Sequence, residues 1–199
     1  MDFLSPSFAA QRLEFVGRTA HVNAALDELA QRPIGEAGVY PFFGPERPFS
    51  QWHPARFRVS GHDYESSGQY AMHHKALLFG DEPTAQALLA APGEAAVKTL
   101  GRGVRDYDDA TWQREARRIV YEGNCAKFAQ NPSLSDALLA TGDRLLAEAA
   151  PDDRLWGIGL AEDDPRALDK ATWLGTNWLG YVLTLLRDDI RLTTRAYPA

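Results

Sequence analysis

The stretch of this 199-residue chain with the most chemical potential runs from residue 65 to residue 81, ESSGQYAMHHKALLFGD. Ser66 and Ser67 can cap a helix at its start. The residues that recur at helical spacing, as an inward stripe, are Tyr70, His74, Leu77 and Leu78. Position 68 and Lys75 are two turns apart, so both are expected to project from the same side of the helix. Spacing alone leaves Lys75 two roles, because its ammonium can be drawn into a cleft or stay in water above an apolar stem.

The same segment resembles the signature of the NADAR family, also called the YbiA-like family. That signature reads S or A, then E, then Q or H, then Y, and ends in K-A-x-L-F-G-D. The matching residues here are Ser67, Gln69, Tyr70, Lys75, Ala76, Leu78, Phe79, Gly80 and Asp81. One position departs, because Gly68 stands where relatives carry the glutamate regarded as catalytic.

Gly68 is unusual for its place in a helix. An acidic residue is favoured near a helix start, whereas glycine inside a helix costs about 1 kcal/mol relative to alanine. Neither the helix dipole nor helix propensity therefore favours glycine at this position. One interpretation is that Gly68 inactivates an otherwise intact active site, and the other is that it is an ordinary capping or turn glycine.

Composition excludes several classes of protein. A net charge of −6 argues against broad, non-specific nucleic-acid binding, although it leaves room for a local basic cleft. The single cysteine, Cys125, cannot form an intramolecular disulfide and fits both a reducing compartment and a core position. No run approaches ~18 apolar residues, so no membrane span is expected, and the N-terminus does not resemble a signal peptide. These features predict a cytoplasmic protein.

No cofactor or metal is expected. The glycine-rich and zinc-binding motifs are missing, and His73 and His74 would point about 100° apart on a helix.

The elements that must position these residues follow from periodicity. Residues 1–36 predict a helical extension that the resemblance does not cover, with apolar positions Leu13, Phe15, Val16, Val22, Ala25, Leu26 and Leu29. Short strands are expected at 39–43 and 57–59, with a turn at Ser60 and Gly61. Helices are expected at 84–90, 94–100, 112–130 and 133–140, the last capped by Ser133. A closing helix carries the stripe Leu179, Val182, Leu183 and Leu186.

An aromatic block follows residue 38 and resembles the opening of the family. The match consists of Phe42, Phe43, Phe49, Ser50, Gln51, Trp52, Pro54 and Phe57. Aromatic rings followed by polar groups could stack on a base and hydrogen-bond it, or they could be aromatic core. The candidates for substrate binding are Phe43, Gly44, Ser50 and Gln51, together with Gln69 of the signature segment.

Further blocks of the resemblance supply more candidates. Arg102, in a pair with Gly101 that follows Lys98, offers a planar fork for a diphosphate, or it is a solvated surface residue. Asn124 and Lys127, in GNCAKFAQNPSL, suit ligand contacts or buried polar groups that bond to the protein. The WGIG run could bring backbone and an indole face to a ligand through Trp156, Gly157, Ile158 and Gly159. Asn177 and Gly180 begin the closing helix, whose free backbone N–H groups could hold an anion.

The resemblance spans roughly residues 39–191 and implies one compact, predominantly helical α+β domain with a few short strands. We place this domain at 37–199 and the helical extension at 1–36. The family resemblance also implies an N-glycosidase that cleaves a ribosyl–nitrogen bond. Its two associated substrate classes are ADP-ribose on guanine bases and phosphorylated intermediates of riboflavin synthesis, and the motif blocks favour the first.

Several functional expectations depend on that resemblance. With glycine at position 68 the enzyme should be catalytically impaired, and the alternative is a non-catalytic ADP-ribose-binding module. Lys75 could protonate the leaving base or form a Schiff base with C1 of an opened ribose. The expected ligand contains ADP-ribose, in a nucleotide or a nucleic acid. If the protein acts as an antidote, its genetic partner would be an ADP-ribosyltransferase toxin.

Overall fold

The computed structural model describes residues 19–196 and confirms a predominantly helical α+β fold. In chain order the helices are α1 (Thr19–Gln31), α2 (Ser67–Leu78), α3 (Glu82–Leu89), α4 (Gly93–Arg102), α5 (Asp109–Gln130), α6 (Pro132–Leu139) and α7 (Trp178–Ala196). The strands are β1 (Val39–Phe42), β2 (Phe57–Val59), β3 (His62–Tyr64) and β4 (Leu145–Glu148). Short 3-10 helices cover Pro165–Leu168 and Lys170–Thr172. The helices predicted after residue 81 agree within one turn, although Asn131 and not Ser133 occupies the cap position of α6.

Helix α5 forms the centre of the molecule. Its first half buries one face through Trp112, Ala116, Ile119 and Val120, and from Ile119 to Phe128 every residue is buried. A helix buried all round needs neighbours on every side, and α2 and α7 pack against it. Cys125 lies in this core, as predicted.

The N-terminal helix shares this core. Val22 and Leu26 of α1 are buried in the same apolar cluster as α5 and α7, and Asp27 pairs with Arg117 of α5. The helix predicted for residues 1–36 is thus present from Thr19 to Gln31, and its positions Leu13, Phe15 and Val16 lie outside the described residues.

Helix α2 buries a different face from the one that its apolar residues predict. Ser66 accepts a hydrogen bond from the backbone N of Gln69 and caps the helix, as predicted. Leu77 was expected to face inward, but its exposed fraction is 47%. The buried face contains Gln69 and His73 instead, and polar side chains like these can be buried when they are hydrogen-bonded. The side-chain amide of Gln69 donates to the carbonyl of Leu88 at 2.9 Å, which joins α2 to α3.

The strands form two separate pairs. β2 and β3 form a hairpin around the predicted turn, and strand β3 was not predicted. Ser60 and Gly61 have φ values of 50° and 86°, the left-handed pair that a tight two-residue turn requires. β1 pairs in parallel with β4, and its last residue, Phe42, stands opposite Glu148. Strand β4 was not predicted, because the four residues LLAE carry no strand period and their partner is about a hundred positions away.

Asn177 joins β4 to the start of α7. Its side-chain oxygen accepts from the backbone N of Glu148 at 3.0 Å, and its side-chain nitrogen donates to the carbonyl of Leu146 at 2.9 Å. Asn177 has a φ of 54°, a conformation that asparagine tolerates better than most residues. Gly180 permits the close approach, since a Cβ atom there would lie 2.1 Å from the carbonyl oxygen of Leu146.

Replacing Asn177 should therefore destabilise the fold more than an ordinary polar substitution. Asn177→Ala leaves two buried backbone groups of β4 without partners, each worth about 1–3 kcal/mol when unsatisfied. We expect a loss of about 2–5 kcal/mol in the free energy of unfolding, measured by urea titration. Asn23→Ala in α1, where one side-chain bond to the carbonyl of Arg114 is lost, is the control. Equal losses in the two variants would mean that Asn177 does not anchor β4.

Candidate active site

A cavity of about 470 Å³ opens where β1 and β4 end. Because these strands are parallel and in register, their C-terminal ends lie side by side, and Phe43 and Glu148 meet there. The other walls come from the loop after β1, from the first turns of α2, from α4 and from Trp156. The residues that bear on its chemistry are Phe43, Gly44, Ser50, Gln51, Trp52, Gly68, Lys98, Arg102, Glu148 and Trp156.

Lys127 fixes the loop that forms one wall. It is fully buried in α5, and its ammonium donates to the carbonyls of Pro48 and Ser50, each at 2.8 Å. Burial lowers the pKa of Lys127 to about 7. The loop is also tied to α2, because the backbone N of Gly68 donates to the carbonyl of Gln51 at 2.8 Å. Lys127 thus shapes the cavity without lining it.

Gly68 is in direct contact with the indole of Trp52. A Cβ atom on residue 68 would lie 2.6 Å from the nearest ring carbon of Trp52, well inside van der Waals contact. With the ring in this position, packing favours glycine at residue 68, because any side chain there would require the Trp52 ring to shift. The sequence argument from helix propensity did not foresee this contact. Trp52 was part of the family resemblance but was not singled out as a site residue, and its contact with α2 could not be found from spacing.

The cationic side of the cavity is formed by α4. The ammonium of Lys98 lies 4.8 Å from the centre of the Trp52 ring, within cation–π range, and it pairs with Glu94 one turn earlier. Arg102 lies on the same helix one turn further on and also lines the cavity. An anion in this part of the cavity would meet two positive side chains beside an aromatic face.

Glu148 is the one group in the cavity wall whose environment is unusual for its charge. Among the described residues its Oε2 atom is buried and has no hydrogen-bond partner. Burial, with a smaller contribution from the nearby Asp153, raises the pKa of the Glu148 carboxyl to about 8, and Lys98 acts in the opposite direction. The carboxyl therefore holds its proton at neutral pH. Sequence reasoning missed Glu148 as a site residue.

The WGIG turn is positioned by one aspartate and packs mainly on β4. Asp153 accepts from the backbone N atoms of Leu155 at 2.9 Å and Trp156 at 2.8 Å. A Cβ atom on Gly157 would lie 2.8 Å from the carbonyl oxygen of Glu148, so this glycine lets two backbones approach each other. Ile158 is fully buried in the core. Of the four residues predicted here, Trp156 faces the cavity, whereas Gly157, Ile158 and Gly159 are not part of its wall.

The start of α7 is partly covered by the preceding turn. The backbone N atoms of Trp178 and Leu179 donate to the carbonyls of Leu155 at 3.2 Å and Trp156 at 3.1 Å. The turn therefore uses two of the donors at this helix start, and an anion contact at Asn177 and Gly180 stays a prediction.

Other predicted residues lie away from the cavity wall, and their roles in binding stay predictions. The ammonium of Lys75 donates to the carbonyl of Gly101 at 2.9 Å and lies 4.3 Å from the centre of the Tyr107 ring. Burial lowers its pKa. Two helical turns, ~11 Å, separate Lys75 from position 68, and Lys75 is not part of the cavity wall. Gln69 accepts from the backbone N of Glu65 and donates to the carbonyl of Leu88 in α3, and Asn124 donates to the carbonyl of Val120 at 2.8 Å.

Within residues 19–196, no three histidine, cysteine, aspartate or glutamate side chains are grouped so that they could hold a metal ion. None of the helices in the same range is long and apolar enough to cross a membrane.

Comparison with known proteins gives one matching family and several similar proteins. The model of the NADAR domain family matches residues 41–191. N-glycosidase R617 of Acanthamoeba polyphaga mimivirus is 40% identical over 146 residues, which cover 71% of this chain and 86% of that protein. N-glycosidase Npun_R5314 of Nostoc punctiforme is 34% identical over 102 residues, covering 51% of this chain and 57% of the relative. Riboflavin biosynthesis protein VVA0006 of Vibrio vulnificus is 28% identical over 164 residues, covering 79% of this chain and 40% of the relative.

A solved structure shares the fold. The NMR structure of the Escherichia coli protein YbiA superposes with a TM-score of 0.68 over 85% of this chain and 96% of YbiA. The sequence identity is 23%, so the likeness concerns the fold.

The contact between Gly68 and Trp52 can be tested by a double-mutant cycle. Gly68→Ala places a methyl group against the indole and should cost about 1–3 kcal/mol in the free energy of unfolding, as overpacking does. In a Trp52→Ala background the same change should be neutral or stabilising by up to about 1 kcal/mol, because alanine is the better helix former. Urea unfolding of the four proteins gives the coupling energy. A similar cost of Gly68→Ala in both backgrounds would show that the indole does not impose glycine.

Proposed function

The chain belongs to the NADAR domain family, and we propose that it is an N-glycosidase that releases ADP-ribose from ADP-ribosylated guanine bases, slowed by the glycine at position 68. The N-glycosidase names of the mimivirus and Nostoc relatives support the reaction class. The substrate and the slowing are inferred from the cavity.

The observation that carries the proposal is the combination of groups around one cavity. Arg102 and Lys98 present positive charge to one part of it, which suits a diphosphate. The indoles of Trp52 and Trp156 offer flat faces on which a purine can stack. A volume of about 470 Å³ lies in the range of small-molecule sites. The cavity thus offers one surface suited to the base and one suited to the diphosphate, and the Glu148 carboxyl belongs to the same wall.

Breaking a ribosyl C–N bond places positive charge on C1 of the ribose in the transition state. A carboxylate beside C1 stabilises that charge and can activate the water that replaces the base. The family resemblance implies that this role falls to a glutamate at the position that is Gly68 here. Its loss should cost about 10²–10⁴ in rate. The rest of the cavity is retained, so binding should survive better than turnover.

Lys75 has a structural function that is compatible with the proposal. Its ammonium bonds to the carbonyl of Gly101, the residue before Arg102, and so it fixes the end of α4. A role as proton donor or Schiff-base amine would require the Lys75 ammonium to leave this hydrogen bond. We therefore assign the proposed phosphate contact to Arg102 and Lys98 and leave chemistry at Lys75 as a hypothesis.

Two alternatives are favoured by particular observations. The Vibrio vulnificus and Zea mays relatives are named riboflavin biosynthesis proteins, which favours a phosphorylated intermediate of that synthesis as substrate. The missing carboxylate at Gly68 favours a non-catalytic module that binds ADP-ribose. If the enzyme reverses ADP-ribosylation, an ADP-ribosyltransferase toxin would be its genetic partner and the protein its antidote.

The deciding measurement is release of ADP-ribose from ADP-ribosylated guanine presented as nucleotide, DNA or RNA. A glutamate cannot enter at position 68 while the Trp52 indole lies there, so the gain-of-function variant is Gly68→Glu with Trp52→Phe. Phenylalanine keeps an aromatic face but is shorter. We expect this double variant to release ADP-ribose about 10²–10⁴ times faster than Trp52→Phe alone.

The same assay separates the alternatives. Release of the base only from phosphorylated riboflavin intermediates would replace the guanine substrate. Calorimetric binding of ADP-ribose by the unsubstituted chain, with no release by any variant, would establish the binding module. Arg102→Ala should weaken ADP-ribose binding in every version of the experiment if Arg102 contacts the diphosphate.

A further inference from the structure

Glu148 is held rigidly at the rim of the cavity. Its backbone N donates to the side chain of Asn177 at 3.0 Å, and its carbonyl accepts from the backbone N atoms of Ile158 at 2.8 Å and Ala150 at 2.9 Å. Only the side chain is left without a protein partner, since the buried Oε2 atom has none among the described residues. A buried polar atom without a partner is rare and needs an explanation. A ligand in the cavity would provide that partner.

The other carboxyls of the cavity wall are engaged or exposed. Glu94 pairs with Lys98, and the Oδ1 atom of Asp153 accepts from two backbone N–H groups. Asp152 is exposed to solvent at the outer edge. Position 68 has no side chain, and the Trp52 ring fills the space that one would need. Glu148 is half-buried, and it is thus the carboxyl of this wall that has a buried oxygen atom without a protein partner among the described residues.

We propose that Glu148 is the acid–base residue of this chain, donating a proton to the departing base and recovering one from the attacking water. As the C1–N bond breaks, its electron pair stays on the base nitrogen, which takes the proton from the Glu148 carboxyl. A water oxygen then bonds to C1 and gives a proton to the Glu148 carboxylate, which restores the starting state. The step rests on the proposed N-glycosidase function and needs no other reactant.

The electrostatics of the cavity agree with the first half of this cycle. A proton donor must hold its proton at the working pH, and burial keeps the pKa of Glu148 at about 8. That value includes a smaller upward effect of Asp153 on the Glu148 pKa and an opposing effect of Lys98. The other charged groups on the same walls are Glu94, Arg102 and Asp152. Because the acid is present below its pKa, turnover should fall as the pH rises through about 8.

The test is kcat for ADP-ribose release as a function of pH in matched variants. Glu148→Gln keeps the shape of the side chain but cannot donate its proton, so we expect kcat to fall about 10²–10⁴-fold and to lose its decline at high pH. Glu148→Asp should retain part of the rate. The control is Asp136→Asn, which removes an exposed carboxylate of α6 outside the cavity wall and should keep the midpoint of the pH profile. Calorimetry with ADP-ribose should show binding in all of them.

A second readout does not require turnover. The Glu148 carboxyl holds a proton in the folded state from its ordinary pKa of 4.5 up to about 8, whereas the unfolded chain releases it in that range. Folding stability should therefore fall as the pH rises through this window. Glu148→Gln removes that contribution, so its stability relative to the unsubstituted chain should improve between about pH 5 and about pH 8. Urea unfolding at both pH values measures the difference.

The outcomes separate this inference from the function on which it rests. No release from any candidate substrate would overturn the N-glycosidase proposal, and the role of Glu148 with it. Release that is unchanged in Glu148→Gln would overturn the role of Glu148 alone and keep the enzyme. If the stability difference between Glu148→Gln and the unsubstituted chain did not vary between about pH 5 and about pH 8, Glu148 would be ionised in the folded state. That result would overturn its role as proton donor.

Discussion

The structure depends above all on the two hydrogen bonds by which the Asn177 side chain holds β4 against the start of α7. Strand β4 has one strand partner, β1, and a two-stranded parallel pair is not stable by itself. Asn177 supplies on the other side what a third strand would supply in a larger sheet. Gly180 and Gly157 allow the close backbone approach that this arrangement needs. The result is that Glu148, at the last position of β4, is fixed in place while its side chain stays free to meet a ligand.

The contact between Gly68 and Trp52 changes the meaning of the most unusual residue in the sequence. Considered as a helix residue, glycine is unfavourable, and the resemblance makes it a missing catalytic glutamate. In the folded protein the indole of Trp52 occupies the space that a side chain would need. Restoring glutamate alone would thus disturb the ring that Lys98 contacts. The residue at position 68 and the position of the Trp52 ring are therefore coupled. If turnover occurs, a carboxyl elsewhere in the cavity must carry the proton chemistry.

Much of this architecture could be predicted from the sequence, because helices and turns have recognisable short-range sequence patterns. The capping by Ser66, the turn at Ser60 and Gly61 and the long central helix all follow from short-range patterns. The failures have a common physical origin in contacts between distant segments. Strand β4 exists because β1 and Asn177 pair with it, and Leu77 is exposed because hydrogen-bonded polar side chains take the buried face of α2. Glycine spacing in WGIG signals a close backbone approach, yet the sequence does not say whether a ligand or β4 is the neighbour.

Lys98 links substrate binding to the proton of Glu148. Its ammonium lies over the Trp52 ring, pairs with Glu94 and lowers the pKa of Glu148, so it connects the aromatic, anionic and acidic parts of one cavity. A diphosphate beside Lys98 and Arg102 would offset their positive charge, and the proton affinity of Glu148 would then rise. By linkage, the protonated form would bind the diphosphate more tightly in turn. An anionic substrate would therefore strengthen the acid that its own cleavage requires, which helps to explain how a chain with net charge −6 can keep a small basic cleft at its proposed active site.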